Sequence, residues 1–217
     1  MSQAKHAPFR ADHVGSLIRP TDLIEARERH AAGEIGDADL RAVREQAIRE
    51  VVRLQEEVGL RSVTDGEYNR GSWHTDFLLR FANVAPHQSK YITTFHNAEG
   101  SVESKPHTVR VTGKLSRPEP IFVDDFRFLK SVTTQTPKIT IPSPSIMHFR
   151  GGRDAIDTAA YPDMAEFYAD LAGVYAEEIG ELVEAGCRYI QIDETNFAYL
   201  CDPMLVCTCA RSAGSHR

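Results

Sequence analysis

With 217 residues, 41% of them hydrophobic and 26% charged, the chain has the composition of a folded globular protein and not of a disordered one. A formal net charge of -6 and the lack of a Lys/Arg cluster exclude a nucleic-acid footprint. Residues 1–10 are polar, no uncharged apolar run approaches the ~20 residues of a membrane helix, and three of the four cysteines (Cys201, Cys207, Cys209) crowd the last stretch instead of forming a disulfide framework. The expectation is a cytoplasmic protein with a small-molecule substrate and neither nucleic acid nor membrane as a partner.

In chain order, residues 9–17 read as a short first strand running into a Gly15-Ser16 loop. A helix follows over 21–32, with Thr21 as its N-cap, Leu23, Ile24 and Ala31 as apolar positions, and Gly33 as its end. Asp37 caps a second helix whose Leu40, Val43, Ala47, Val51, Leu54 and Val58 recur at steps of three or four, so they predict one buried stripe that stops at Gly59. Residues 60–64 make a strand feeding directly into Asp65-Gly66-Glu67. Residues 71–137 lack a simple rhythm and read as an insertion, with an aromatic piece (Trp73, Phe77, Phe81), a hairpin over 108–115 and a helix over 121–129.

Residues 138–141 form a compact strand, and Pro142-Ser143-Pro144-Ser145 excludes helix immediately after it, because each proline restricts the residue before it. Asp163 and Glu166 have capping-box spacing, and Met164, Phe167, Leu171, Val174, Ile179, Leu182 and Val183 give a long amphipathic helix ending at Gly186. Residues 188–192 are a nearly continuous apolar strand that ends in Asp193-Glu194. Strands alternating with such helices imply βαβ units, a parallel sheet and an α/β fold. About four core strands can be counted against the eight of a closed (β/α)8 barrel, so a partial TIM barrel, its front half carrying an insertion, is expected.

Two carboxylate pairs, Asp65/Glu67 and Asp193/Glu194, lie just past predicted strands, where barrel enzymes place their chemistry. The plainer alternative is a solvated loop acid or a helix N-cap. Gly15-Ser16 can offer an N–H and a hydroxyl to an anion, although a lone Gly-Ser is mostly a turn. Trp73, His74 and Asp76 could wall a pocket, but a single histidine near aromatics is more often structural; His96, His107 and His148 are uninformative alone. The chain has no His-x-Cys, no His-Glu-x-x-His and no paired Cys-x-x-Cys, so it offers no zinc ligand set, and Cys207-Thr208-Cys209 is a weak substitute.

Taken together, His13-Val14-Gly15-Ser16-Leu17, Thr64-Asp65-Gly66-Glu67-Tyr68-Asn69-Arg70 and Tyr189-Ile190-Gln191-Ile192-Asp193-Glu194 resemble, in order and spacing, the catalytic barrel of cobalamin-independent methionine synthase over nearly all of residues 8–203. Arg70-Gly71-Ser72-Trp73-His74-Thr75-Asp76-Phe77 and Val111-Thr112-Gly113-Lys114-Leu115 favour the short, single-barrel branch of that superfamily. The resemblance implies a barrel of the methionine synthase/uroporphyrinogen decarboxylase type, with residues 1–203 as its N-terminal part and 204–217 as a non-family tail. It also implies an S-methyltransferase in which zinc binds the homocysteine thiol as thiolate for attack on the methyl group of a methyltetrahydropteroyl donor. Zinc suits that chemistry because it lowers a thiol's pKa.

Carried over by position, the resemblance makes Val14 and Ser16 contacts of the amino acid's backbone end and Glu67 and Asp193 acceptors for its ammonium, which would be charge-assisted hydrogen bonds of the stronger kind. The family departs from this chain at two points. The tryptophan that stacks on folate falls near Val111, and the zinc ligands come from strands beyond the Asp-Glu motif and are absent. With the likeness stopping after Asp202-Pro203, the expected product is a prematurely ended homologue, inactive alone, whose open edges a second copy would cover in a homodimer. Two other readings are a zinc-dependent alkyl transferase acting on another thiol such as coenzyme M, and a non-catalytic remnant or substrate-binding module. If the reading frame is interrupted, the downstream DNA translated in the other two frames encodes a His-x-Cys pair and a later cysteine; their absence there contradicts the expectation.

Overall fold

The computed structural model describes residues 12–88, 93–97, 100–104, 107–149 and 151–197. In chain order the elements are α1 (Thr21–Ala31), α2 (Asp37–Glu57), β1 (Ser62–Val63), α3 (Thr75–Leu78), β2 (Ala82–Gln88), β3 (Thr93–Asn97), β4 (Gly100–Ser104), β5 (His107–Ser116), α4 (Val123–Ser131), β6 (Thr136–Pro142), α5 (Ile146–Phe149), a 3-10 turn (Gly152–Ala155), α6 (Met164–Glu184) and β7 (Tyr189–Asp193). The chain divides into two compact units, the first made of residues 1–73, 120–140 and 178–191 and the second of 74–119, 141–177 and 192–217.

In the first unit, α1 starts directly after Pro20, whose φ of -66° and ψ of 152° turn the chain into the helix; Thr21 is the first helical residue and not the cap. Gly36, not Asp37, precedes α2, and its N–H donates to Asp39 Oδ2 at 3.2 Å. The buried face of α2 runs through Ala47, Ile48, Val51 and Val52 and packs on Leu23, Val63, Tyr68 and Leu129. Leu54 and Val58, expected on that face, are exposed, because the packed positions fall at 48, 52 and 55 and leave 54 and 58 a quarter-turn aside.

β1 pairs in parallel with β6, Ser62 opposite Thr136 and Val63 opposite Pro137, and β7 lies on the other side of β6. This is the α/β arrangement expected from the alternation of strands and helices. The strand expected over 9–17 does not form in its described part, where residues 12–17 run irregularly. Their backbone groups go elsewhere: the His13 carbonyl accepts from Lys138 Nζ, Val14 O from Gln191 Nε2 at 2.6 Å and Gly15 O from Thr64 Oγ1 at 2.6 Å, while Leu17 N donates to Gly66 O at 3.1 Å. Side chains take the place of a ladder.

Lys138 is wholly buried, and all three of its donors are used: by Asp12 Oδ1 at 2.9 Å, Gln191 Oε1 at 3.0 Å and the His13 carbonyl. Asp12 accepts further from Tyr189 Oη at 2.5 Å and Ser62 Oγ at 3.0 Å. Burial opposes the charged form of Asp12, but the hydrogen bonds from Tyr189, Lys138, His13 and Ser62 outweigh it and hold the carboxyl well below the usual carboxylate range.

In the second unit, β2 and β5 pair antiparallel with a register shift between Ala82 and Val84, and β3 pairs with β4. The hairpin expected over 108–115 is therefore a single strand, β5, whose partner is β2. Gly113 serves the bulge and no turn: Asn83, with φ of 60°, presses its side chain to within 3.0 Å of where a Gly113 Cβ would stand and donates from Nδ2 to Lys114 O at 2.7 Å. Phe77 and Phe81 meet Tyr175 at ring distances of 5.4 and 6.0 Å, so the aromatic piece of the sequence is core. Tyr161 Oη, buried against Phe167, accepts from Leu115 N and donates to Asp170. At the start of α6, Asp163 Oδ1 accepts from Ala165 N, but Glu166 pairs with Lys114 and does not complete a capping box.

Replacing Lys138 by Met leaves the partly exposed Asp12 carboxylate without its cation, and we expect a loss of about 2 kcal/mol in urea unfolding at pH 7. Because the Asp12 pKa is depressed in the folded chain, this contribution is full above the unfolded value near 4 and is lost as pH falls below it. A Lys138→Met variant within about 0.5 kcal/mol of the parent at pH 7 contradicts the network's role.

Candidate functional site

Two short loops of the first unit meet around one threonine. The loop after β1 is drawn tight by its own side chains: Asp65 Oδ1 accepts from Glu67 N at 2.8 Å, Asp65 Oδ2 from Asn69 Nδ2 at 2.9 Å, and Gly66 N donates to Thr64 Oγ1 at 3.2 Å. Gly66 has φ of 68°, and a Cβ there would stand 2.8 Å from the Tyr68 ring, so both conformation and space demand glycine. Glu67 follows with φ of 60°, a conformation rare outside glycine and asparagine that costs on the order of 1 kcal/mol. The carboxylate is nevertheless buried, with the residue only 3% exposed.

Thr140, in β6, donates from Oγ1 to Glu67 Oε1 at 2.9 Å. Its Cγ2 fills the space above Gly15, where a Cβ would come within 2.6 Å, and Gly15 itself has φ of 127°. Arg70, 2% exposed, lies with its guanidinium 4.3 Å from the centre of the Phe122 ring, gives Nη2 to Thr140 O at 2.6 Å, and places Nη1 3.6 Å from Glu67 Oε1. Arg19 and Arg27 bind the Arg70 carbonyl at 3.0 and 2.8 Å and so fix the loop's far end. Tyr68 Oη donates to Ile18 O at 2.6 Å.

Of the residues singled out in the sequence, Val14, Ser16 and Glu67 are thus brought to one place, joined through Thr140, Gly15 and the Leu17–Gly66 hydrogen bond. Val14 and Ser16 are exposed and Glu67 is buried beside them. Asp193 closes β7 in the second unit; it is half-buried, and its carbonyl accepts from Ser143 N at 2.9 Å. Its neighbour Glu194 ties its loop to the one after β6, accepting from Ser143 Oγ at 2.6 Å, Ser145 Oγ at 2.7 Å and the N–H groups of Asn196 and Phe197. Burial works against its charge, yet those bonds prevail and keep the carboxyl below its ordinary value. In each acidic pair one member, Asp65 or Glu194, is therefore consumed in shaping the loop.

Sequence reasoning did not single out Thr140, Arg70 as a site residue, or the acid Asp125. The first could have been suspected from its position at the C-terminal end of β6. Asp125, in the first turn of α4, is pushed up to about 7 by burial and by the charge of Asp65, against the opposing pull of Arg44 and Arg70. His148 is structural: its ring packs edge-on against Phe167 and Tyr168, and burial lowers its pKa. Val111 is buried in β5 and bridged to Ile156, with no ring to offer a ligand. The side chains of His96 and His107, and Cys201, Cys207 and Cys209, lie outside the described residues. An open groove of about 740 Å³ between α1 and α2 includes none of Val14, Ser16 or Glu67 in its lining.

Among the described residues no three His, Cys, Asp or Glu side chains converge as ligands for a metal ion. Cys187 is buried and bonded to Tyr189 O, and its thiol is raised by burial, the opposite of what a thiolate ligand needs. The described residues do not fit a zinc site.

Parallel strands, with a buried carboxylate in a left-handed backbone conformation just past β1, define an α/β protein. The family model described as the catalytic domain of cobalamin-independent synthase matches residues 9–204, and the chain belongs to that family. The uncharacterized protein YxjH of Bacillus subtilis is 41% identical over 195 residues, which are 89% of this chain and 50% of that protein. A solved Listeria monocytogenes protein, provisionally assigned as a vitamin-B12 independent methionine synthase, is 37% identical with a TM-score of 0.70 over 90% of this chain and 55% of its own. A B12-independent methionine synthase from Shewanella sp. W3-18-1, solved with selenomethionine, is 26% identical with a TM-score of 0.56, covering 76% of this chain and 45% of its own. The chain spans about half the length of the curated relatives it matches.

Because Asp125 has a raised pKa in the folded chain, its contribution to stability is full below the unfolded value near 4 and is lost as pH rises to about 7. An Asp125→Asn variant should therefore melt above the parent at pH 8, with the gain shrinking toward pH 4. Thermal melts at both pH values check this, and an equal difference at each contradicts it.

Proposed function

We propose that these residues form the amino-acid-binding part of a methyltransferase barrel of the cobalamin-independent methionine synthase type, with a homocysteine-like thiol as acceptor. The observation that carries the reading is the buried Glu67 carboxylate, held in a strained conformation beside the loop that exposes Val14 and Ser16. An anion buried at that cost is explained if it meets a ligand's cation. Glu67 accepts hydrogen bonds from the ammonium, while the Ser16 hydroxyl and the backbone at Val14 meet the carboxylate end. Asp193 is proposed as a further acceptor on the strength of the resemblance alone.

In the reaction, the acceptor sulfur gives up its proton, attacks the methyl carbon and forms the S–CH3 bond as the N–CH3 bond of a methyltetrahydropteroyl donor breaks, and the leaving nitrogen takes up a proton in place of the methyl group. Activation of the sulfur is assigned to no described residue, and the donor is the less supported half of the proposal, since Val111 is a buried valine at the position the resemblance gives to tryptophan. What this chain's residues do is bind and orient. The family match and the relatives named as methionine synthases support the amino-acid reading. It predicts that the chain binds L-homocysteine better than 4-mercaptobutanoate, which lacks only the amine, and that Glu67→Gln removes about tenfold or more of that preference. Calorimetric titration with both ligands measures it; equal binding of the two by the parent chain contradicts the function.

A further inference from the structure

Glu67 has two neighbours that could hold it, and they do different things. Arg70 supplies the compensating positive charge a buried carboxylate requires, but at 3.6 Å it stands outside hydrogen-bond distance of Oε1. Its other amino group is spent on the Thr140 carbonyl and its face on Phe122. A paired, bidentate Arg70 would have occupied both carboxylate oxygens. As built, the cation balances Glu67 without using it up. The hydrogen bond that orients the carboxylate comes from Thr140 Oγ1.

The direction of that hydroxyl is set by the opposite branch of the same side chain. Threonine is stiff at χ1, and its Cγ2 occupies the gap left by the missing Cβ of Gly15. The loop presented to the ligand and the carboxylate presented to the ligand are therefore registered on one residue. We infer that Thr140 is the positioning residue that aims the Glu67 carboxylate at an ammonium-bearing ligand, with Arg70 as the charge behind it. The inference rests on the amino-acid reading of the Glu67 site.

Two substitutions separate orientation from packing. Thr140→Val keeps the shape and the Cγ2 contact but removes the donor; Thr140→Ser keeps the donor. Both are titrated as full chains with L-homocysteine and with 4-mercaptobutanoate, after circular dichroism has shown parental folding. The expected result is a loss of about tenfold or more in homocysteine affinity for Thr140→Val, unchanged 4-mercaptobutanoate affinity, and Thr140→Ser within about threefold of the parent for both ligands. Parental homocysteine binding by Thr140→Val overturns the inference while leaving the amino-acid reading intact. So does an equal loss for both ligands, or an equal loss in both variants, since each marks a packing role. A parent chain that shows no preference for the amine overturns both.

Discussion

Burying the Glu67 carboxylate is the constraint on which the described site depends. A charged group taken out of water must be matched by a charge and by hydrogen bonds, or it neutralises. Here the charge is Arg70, the hydrogen bond is Thr140 Oγ1, and the backbone strain at φ of 60° is absorbed by a loop braced on Asp65, Arg19 and Arg27. Remove the side-chain network and nothing holds a non-glycine residue in that conformation. The same logic recurs around Lys138, where a second buried charge is satisfied by Asp12, Gln191 and the His13 carbonyl. Polar side chains, more than a strand ladder, tie residues 12–17 to β1, β6 and β7.

This explains which parts of the molecule were legible in its sequence. Periodicity located α1, α2, α4 and α6 and the strands β1, β6 and β7, because each buries an apolar face or run that local composition reveals. The sequence motifs pointed to Val14, Ser16, Glu67 and Asp193, and the loops carrying the first three are joined through Thr140 and the Leu17–Gly66 hydrogen bond. Details that depend on partners far along the chain were not legible. Residues 12–17 look like a strand until the Lys138 and Gln191 side chains are known to take their carbonyls. Residues 108–115 look like a hairpin until β2 is found to pair with residues 107–111 and, past a register shift, with Ser116. Leu54 and Val58 fit a stripe of alternating threes and fours, yet the packed face of α2 is set by Ile48, Val52 and Gln55. Thr140 carries no motif of its own; its importance comes from lying between Gly15 and Glu67, which are 52 positions apart in the sequence.

The acidic pairs illustrate how a position can be right and a role divided. Asp65 and Glu194 accept from backbone, amide and hydroxyl donors of the loops around them, while Glu67 is the carboxylate proposed to meet a ligand, with Asp193 added by resemblance alone. Membership of the cobalamin-independent synthase family is shared with relatives about twice as long. Among the described residues no assembled metal-ligand set is found.

The most direct measurement is a crystal structure of the chain grown with L-methionine, which carries the same ammonium and carboxylate as the proposed acceptor. The account predicts the ammonium nitrogen within hydrogen-bond distance of the Glu67 carboxylate and the ligand carboxylate against the Val14-Gly15-Ser16 loop, with Thr140 Oγ1 still bonded to Glu67. Methionine bound in the reverse orientation, or bound only away from Glu67, would contradict it.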